Sequence, residues 1–458
     1  MFNLLILISS VASAYLCIVN LYFTPYNGLF IIPIIYLLLH PILYRVKSIS
    51  CNNIISVYVV IILLWMRMVI LPMYGAISGQ YYSTDTTDVG SIDTAILLIV
   101  YEAIAICITL ILSVNRQKRI TPTQISLEGN TNIYNVLILI SIIVFVTIGR
   151  HLDLFEFGVK SIAEDMDRVG DVVDTKTIII RRIVSSGYLF LFMILIEKFK
   201  QQYDKKQSSK YINLSILCAI LMTCIIIGER RSAQLYIAFA SCWTLIRLFP
   251  KQQNKIITYI GTTAIIVLSL MTIYKQFNAF LYDSYIEAIE NTSLNEGLSS
   301  SYMDAYFYGV NTIASNVSYA NVAIHDISNL LYDILRSTFG ISFLVKGSMP
   351  MTSEAYNMFI YAGEQSTGLL LSSVGYGYIY LGGLLAPFFS CINILIMVWM
   401  EIKMRTCRSI EMCYIWSYIF MRFAFGILGS IPPLIGVATQ NLFISGGIYL
   451  IASKFFRK

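Results

Sequence analysis

Arginine set into an apolar chain is the first chemistry on offer. Eight basic residues, Arg67, Arg150, Arg181, Arg182, Arg230, Arg231, Lys275 and Arg422, fall inside or at the ends of long apolar runs. Each such group costs at least about 2.5 kcal/mol to insert into a bilayer, so its retention asks for a reason. Arg181 and Arg182 are adjacent, as are Arg230 and Arg231 within Gly228-Glu229-Arg230-Arg231-Ser232, where Glu229 is the one neighbouring carboxylate. The planar guanidinium fork binds phosphate oxygens bidentately. These pairs predict a polyanion site at headgroup depth, unless they merely snorkel to lipid phosphates. A polyprenyl pyrophosphate fits that depth, with its tail in the bilayer, its phosphates among the headgroups and its sugars in water.

A second constellation lies downstream in His325, Asp326, Asp333 and Arg336, followed by Gly340 and Gly347. An imidazole titrating near pH 7 can take a proton from an attacking hydroxyl, which makes His325 a candidate base, with Glu229 and Asp326 as rivals. The plain alternative for His325 is a polar surface residue. Tyr302, Tyr306, Phe307, Tyr308 and Tyr319 could stack on sugar rings or form an interfacial aromatic belt. Arg67 invites a simpler reading. It lies about six residues below the outer end of its helix and Glu102 about nine below the outer end of the next, so at 1.5 Å per residue the two can pair.

Those side chains must be positioned by membrane helices. The 458 residues are 57% hydrophobic and only 13% charged, with mean hydropathy +0.71, against roughly 25% charged in soluble domains. A water-soluble enzyme, a secreted disulfide scaffold and a disordered chain are excluded. The expected fold class is an all-α polytopic membrane protein, one integral domain over 1–458 with about 12 spans. These fall at 4–22, 28–44, 54–73, 93–113, 132–149, 177–196, 211–228, 232–249, 256–275, 370–400, 411–429 and 434–453. The stretch 370–400 is too long for one crossing, and Gly375, Gly377, Gly382 and Gly383 predict a re-entrant or tilted start. Ala12-Ser13-Ala14 resembles a cleavage site, but no basic segment precedes the apolar run, which reads as an uncleaved first helix.

Lys and Arg in short loops set the orientation. Alternate loops carry Arg45 and Lys47, Arg116 to Arg119, Lys198 to Lys210, Lys251 and Lys255, Lys403 to Arg408, and Lys454 to Lys458. That set is expected on the cytoplasmic side together with both termini. The opposite loops are acidic, with seven carboxylates in 150–176 and nine in 276–365. The last is long enough to fold, and short amphipathic helices across the outer mouth are expected. None of the nine cysteines falls in an outer loop, and no CxxC or Cys/His metal spacing is present.

The layout resembles the bacterial O-antigen repeat-unit polymerases of the Wzy type. About a dozen spans, a medium periplasmic loop at 150–176, a large periplasmic loop at 276–365 and an Arg-bearing turn at 228–232 carry the resemblance, and Arg336-x10-Gly347 matches the spacing of that family's loop arginine and glycine. The resemblance implies a glycosyltransferase of the bacterial inner membrane. Its partners would be undecaprenyl-pyrophosphate-linked oligosaccharide donor and acceptor, membrane lipid and a chain-length regulator protein, with no nucleic acid, no cofactor and no metal. Arg230, Arg231, Arg181, Arg182 and Arg336 would grip the pyrophosphate, and His325 or Glu229 would act as base.

Two other readings share most of these features. An O-antigen ligase uses the same donor on a similar plan. A flippase for the lipid-linked unit also has many spans with charged residues inside them, although the chain has no repeated half and no long central inner loop. A glycosyltransferase fed by a polyprenyl monophosphate sugar is a third, but its acids are usually in the first outer loop, here 24–27, which has none.

Overall fold

The computed structural model describes residues 2–49, 55–79, 87–115, 124–149, 156–158, 175–226, 231–277, 279, 282, 284–292, 300–323, 326–345, 347, 349–366 and 368–455. In chain order the helices are α1 (Phe2–Leu21), α2 (Ile31–Ile49), α3 (Ile55–Ser78), α4 (Gly90–Asn115), α5 (Thr131–Thr147), α6 (Thr175–Lys206), α7 (Ser209–Cys224), α8 (Arg231–Leu248) and α9 (Gln253–Gln276). Then come the short α10 (Tyr285–Asn291), α11 (Ser300–Phe307), α12 (Val310–Val322), α13 (Ile327–Ser337) and α14 (Thr352–Ile360). The chain closes with α15 (Ser373–Leu385), α16 (Phe388–Thr406), α17 (Ile410–Gly426) and α18 (Ile431–Lys454), which widens to π-helix at Leu442–Gly446 and again from Ile451.

A helix stands on every one of the twelve apolar stretches. Among the described residues seven are long and apolar enough to cross a membrane, or eight if the bent pair α15 and α16 counts as one span. The chain is therefore an all-α protein of the membrane-spanning type, the form in which a backbone without water partners satisfies itself. α5 and α7 are apolar but shorter. One exception to helix is a two-stranded ladder pairing β1 (Glu156–Phe157) with β2 (Ile225–Ile226).

The bend between α15 and α16 is 112°, at the glycine cluster expected to interrupt the long stretch. Gly382 takes φ 71° and ψ 179°, a conformation essentially closed to residues with a Cβ. At Gly377 an added Cβ would lie 2.0 Å from the Ala386 carbonyl oxygen, so only a bare backbone lets the two arms meet.

The chain divides into two compact units. The first comprises Met1–Ile120, Leu298–Glu401 and Arg422–Gln440. At its centre is α12, with Val310 and every residue from Thr312 to Tyr319 buried. The expectation of amphipathic helices lying across the mouth fails for this one, because α12 is core on all sides. Its polar residues are largely satisfied, Asn316 Nδ2 being a buried atom with no hydrogen-bond partner among the described residues. Ser315 bonds the Tyr356 hydroxyl at 2.6 Å, Asn316 Oδ1 accepts from the Ser372 amide at 3.1 Å, and Ser318 donates to Ser91 at 3.0 Å. Asp304 of α11 accepts from the Thr312 amide and hydroxyl, each at 2.8 Å, and so supplies the acceptor at the α12 N-terminus. Glu401 caps α3 in the same way, accepting from the Ile55 amide at 2.7 Å and the Ser56 amide at 2.9 Å.

The second unit comprises Thr121–Gly297, Ile402–Met421 and Asn441–Lys458. Its core is aliphatic and aromatic, drawn largely from α6, α7, α8 and α9, with Tyr134 of α5 stacked on Phe190 at 4.4 Å. Glu411 is fully buried there, accepting from the Gly129 amide at 2.8 Å and the Tyr134 hydroxyl at 2.9 Å.

Candidate functional site

Arg336 sits on the last turn of α13 and is about one-third exposed. Its guanidinium forks onto the Glu354 carboxylate, Nη2 to Oε1 at 3.3 Å and Nη1 to Oε2 at 3.4 Å. Nη1 also donates to the Tyr332 hydroxyl at 3.0 Å and to the Met349 carbonyl at 3.1 Å. Glu354 is held in place by its second role, accepting from the Met351 amide at 2.7 Å to cap α14.

The Arg336-x10-Gly347 spacing has a structural reason. The Tyr332 hydroxyl that Arg336 engages donates to Met349 at 2.9 Å and occupies the place where a Cβ on residue 347 would be, 1.7 Å away. Glycine at 347 thus leaves room for the ring that orients the arginine.

One turn back on α13, Asp333 is almost fully buried. It accepts from the Thr352 amide at 3.1 Å and from the Tyr376 hydroxyl at 2.9 Å. Thr352 Oγ1 in turn bonds Tyr380. Burial pushes the Asp333 carboxyl above the usual range, against the pull of those hydrogen bonds. A carboxylate, three tyrosines and a paired arginine therefore share one small region where α13, α14 and α15 meet.

The opposite face of α13 is apolar and open. Ile327, Leu331 and Leu335 are 60%, 55% and 41% exposed, and beyond the helix Phe343 and Leu344 are 61% and 85% exposed. The helix is amphipathic with its polar side turned inward, the reverse of a helix that faces water.

Arg67 is elsewhere in the first unit. It donates to Glu102 at 2.5 Å and to the Tyr308 carbonyl at 2.8 Å, while Ser390 bonds the other Glu102 oxygen. This is the ion pair expected from helix depth. Tyr308 and Tyr319 are buried in the core and thus removed from any sugar-stacking role, whereas Tyr306 is half exposed. Asp326 is exposed at the α13 N-terminus, accepting from Ser328 at 3.1 Å.

In the second unit, Arg181 and Arg182 stand near the start of α6. Arg181 is half-buried, its Nε without a hydrogen-bond partner among the described residues, and Arg182 is exposed. Arg231 opens α8. Glu229, Arg230 and His325 lie outside the described residues, as does the Arg231 side chain. The β1–β2 ladder pairs Glu156 with Ile226 and Phe157 with Ile225, which ties part of segment 150–176 to the residues just before segment 228–232. Period-two alternation over two residues is too short for a sequence signal, so this link was not foreseeable. No family model matches the chain, and neither a curated protein nor a solved structure matches it.

Proposed function

We propose that the chain is a surface-polysaccharide polymerase of the bacterial inner membrane. It joins oligosaccharide repeat units carried on undecaprenyl pyrophosphate, with about twelve spans, periplasmic segments at 150–176 and 276–365, and both termini cytoplasmic. A terminal hydroxyl of one lipid-linked unit attacks the anomeric carbon of another chain, that carbon's bond to the pyrophosphate oxygen breaks, and the proton passes to a base, His325 or Glu229. Charge grows on the departing pyrophosphate, so arginines held against it lower the barrier selectively. Arg230, Arg231, Arg181, Arg182 and Arg336 are the candidates.

The observation that carries this reading is the two-faced helix α13. Eleven residues present an apolar stripe, Ile327, Leu331 and Leu335, on one side and the Arg336 cation with buried Asp333 on the other. A substrate with a hydrocarbon tail and an anionic head needs both chemistries within about one helix width of each other, roughly 10 Å. The Glu354 carboxylate holds the guanidinium in a form a diphosphate can compete for, because a pair about one-third exposed is worth no more than about 1 kcal/mol.

The test is a gel of the surface glycan. Arg230→Ala and Arg231→Ala should insert normally and give single repeats in place of long chains. Normal ladders from both variants would remove these residues from the site. Bare lipid core with polymer still on its carrier, in a strain lacking the protein, would move the assignment to a ligase.

A further inference from the structure

The turn between α16 and α17 gathers two thiols around one carbonyl. Cys407 Sγ donates to the Met404 carbonyl at 3.3 Å and Cys413 Sγ to the same oxygen at 3.8 Å. Both sulfurs thus lie within hydrogen-bond reach of one oxygen atom. Arg247 reaches into the same turn, Nη1 to the Met404 carbonyl at 2.6 Å and Nη2 to the Cys407 carbonyl at 3.1 Å. Trp243 Nε1 approaches Met404 as well, at 3.5 Å. Four donors thus crowd one oxygen that has two lone pairs.

The two cysteines differ in access. Cys413 is fully buried, whereas Cys407 is half-buried and lines a cavity of about 280 Å³ in which Lys403 and Arg408 outnumber the one carboxylate, Glu128. Reactive cysteines are those that are partly exposed in electropositive surroundings, with a buried thiol beside them to complete a disulfide. The Cys413 thiol, and after it the Arg247 guanidinium, pull the Cys407 thiol below its usual range.

We propose that Cys407 and Cys413 form a reversible dithiol–disulfide site, with Cys407 the thiol that meets a hydroperoxide and Cys413 the one that resolves it. The Cys407 thiolate attacks the peroxide, the O–O bond breaks, and Cys407 becomes a sulfenic acid as the leaving oxygen departs as alkoxide, or as hydroxide from hydrogen peroxide, and takes up a proton. Cys413 sulfur then attacks the sulfenic sulfur, and the S–S bond forms as water leaves. Two electrons pass from the thiol pair to the peroxide, and two thiols plus hydrogen peroxide give one disulfide plus two waters. The step leaves no buried polar group stranded, because Arg247 and Trp243 remain as donors to the Met404 carbonyl after both thiol protons are gone. Lys403, Arg405 and Arg408 belong to the loops whose basic residues mark the reducing side, where a dithiol can be regenerated by thiol exchange.

The full-length protein in native membranes is exposed to hydrogen peroxide, alkylated and read by peptide mass spectrometry. A Cys407–Cys413 linked peptide that disappears with dithiothreitol is the expected result. In Cys413→Ser, dimedone should label Cys407. Iodoacetamide should label wild-type Cys407 about tenfold faster at neutral pH than the half-buried Cys391, and its rate should reach half-maximum below the ordinary thiol value of about 8.5. A Cys407 that alkylates no faster than Cys391, or that stays reduced and unlabelled in folded protein, overturns the proposal.

Discussion

Arg67 and Glu102 meet at 2.5 Å with side chains 1% and 0% exposed, which makes theirs an ion pair cut off from water. The Arg67 Nη2 atom is buried beside it with no hydrogen-bond partner among the described residues. Breaking such a pair from one side leaves an uncompensated buried charge and costs about 3 to 5 kcal/mol, whereas replacing both partners with apolar residues of similar volume is often close to neutral. Arg67→Met and Glu102→Leu should each lower the thermal unfolding midpoint of the detergent-purified protein sharply, and the double variant should recover most of the loss. A double variant as unstable as the sum of the singles would show that the pair does more than neutralise itself.

For Arg336 the magnitudes point the other way. Its bond to Glu354 is about one-third exposed, so the pair contributes under about 1 kcal/mol once solvent screening is counted. Removing a donor that stabilises a departing oxyanion costs about 10² to 10³ in rate. Arg336→Ala should therefore keep its unfolding midpoint within a few degrees of wild type while long glycan chains disappear. A large drop in stability with the ladder intact would assign Arg336 to structure alone.

Asp333 sets a pH dependence. Its carboxyl is held above the ordinary value by burial, so the folded state keeps a proton that the unfolded chain gives up. The corresponding stability is complete below the unfolded value of about 3.9 and is lost as pH rises through the folded one. Asp333→Asn preserves an acceptor for the Thr352 amide and places an amide donor near the Tyr376 hydroxyl. The unfolding midpoint of wild type should fall more steeply than that of the variant as pH rises above about 4. Parallel curves would remove Asp333 as the source.

These relationships were unevenly legible in the sequence. Apolar runs located the helices because hydrocarbon forces the backbone to bond itself, and the glycines at 377 and 382 located the bend because only a bare backbone fits there. The Arg67–Glu102 pair followed from depth along two consecutive helices. The burial of α12 did not. Its Thr, Ser and Asn residues read as surface until Asp304, Ser372 and Tyr356 are seen to satisfy them, and two of those partners are 40 or more positions away. Glu401 is likewise 346 residues from the amide it caps. Single-sequence periodicity carries no record of such distant partners. For the same reason Arg336 could be picked by type and spacing, but not its neutralisation by Glu354.

The outward face of α13 tests what surrounds it. A lysine introduced into hydrocarbon costs about 2.5 to 3.5 kcal/mol on insertion scales, while the same change on a water-facing helix alters stability by about 0.5 kcal/mol or less. Leu331→Lys in lipid nanodiscs should lose stability in the larger range, and Leu331→Phe should lose little. If Leu331→Lys is neutral, the stripe faces water and the tail-binding half of the proposed substrate site falls away.

The bend between α15 and α16 offers a test in which two neighbouring glycines should respond with opposite sign. At Gly377 a methyl would stand 2.0 Å from the Ala386 carbonyl oxygen, a backbone atom that can move only by opening the bend. At Gly383 the nearest atom to such a methyl is Tyr378 Cε2 at 3.7 Å, an ordinary contact. Helix propensity alone favours alanine over glycine by about 0.5 to 1 kcal/mol at either site. Gly383→Ala should therefore hold or raise the unfolding midpoint. Gly377→Ala should lower it by several times that amount, since overpacking against backbone typically costs about 1 to 3 kcal/mol. Because α15 also carries Tyr376 and Tyr380, the partners of Asp333 and Thr352, Gly377→Ala should shorten glycan chains even at temperatures where the protein stays folded. Equal responses at the two positions would mean that the close approach at 377 does not hold the bend.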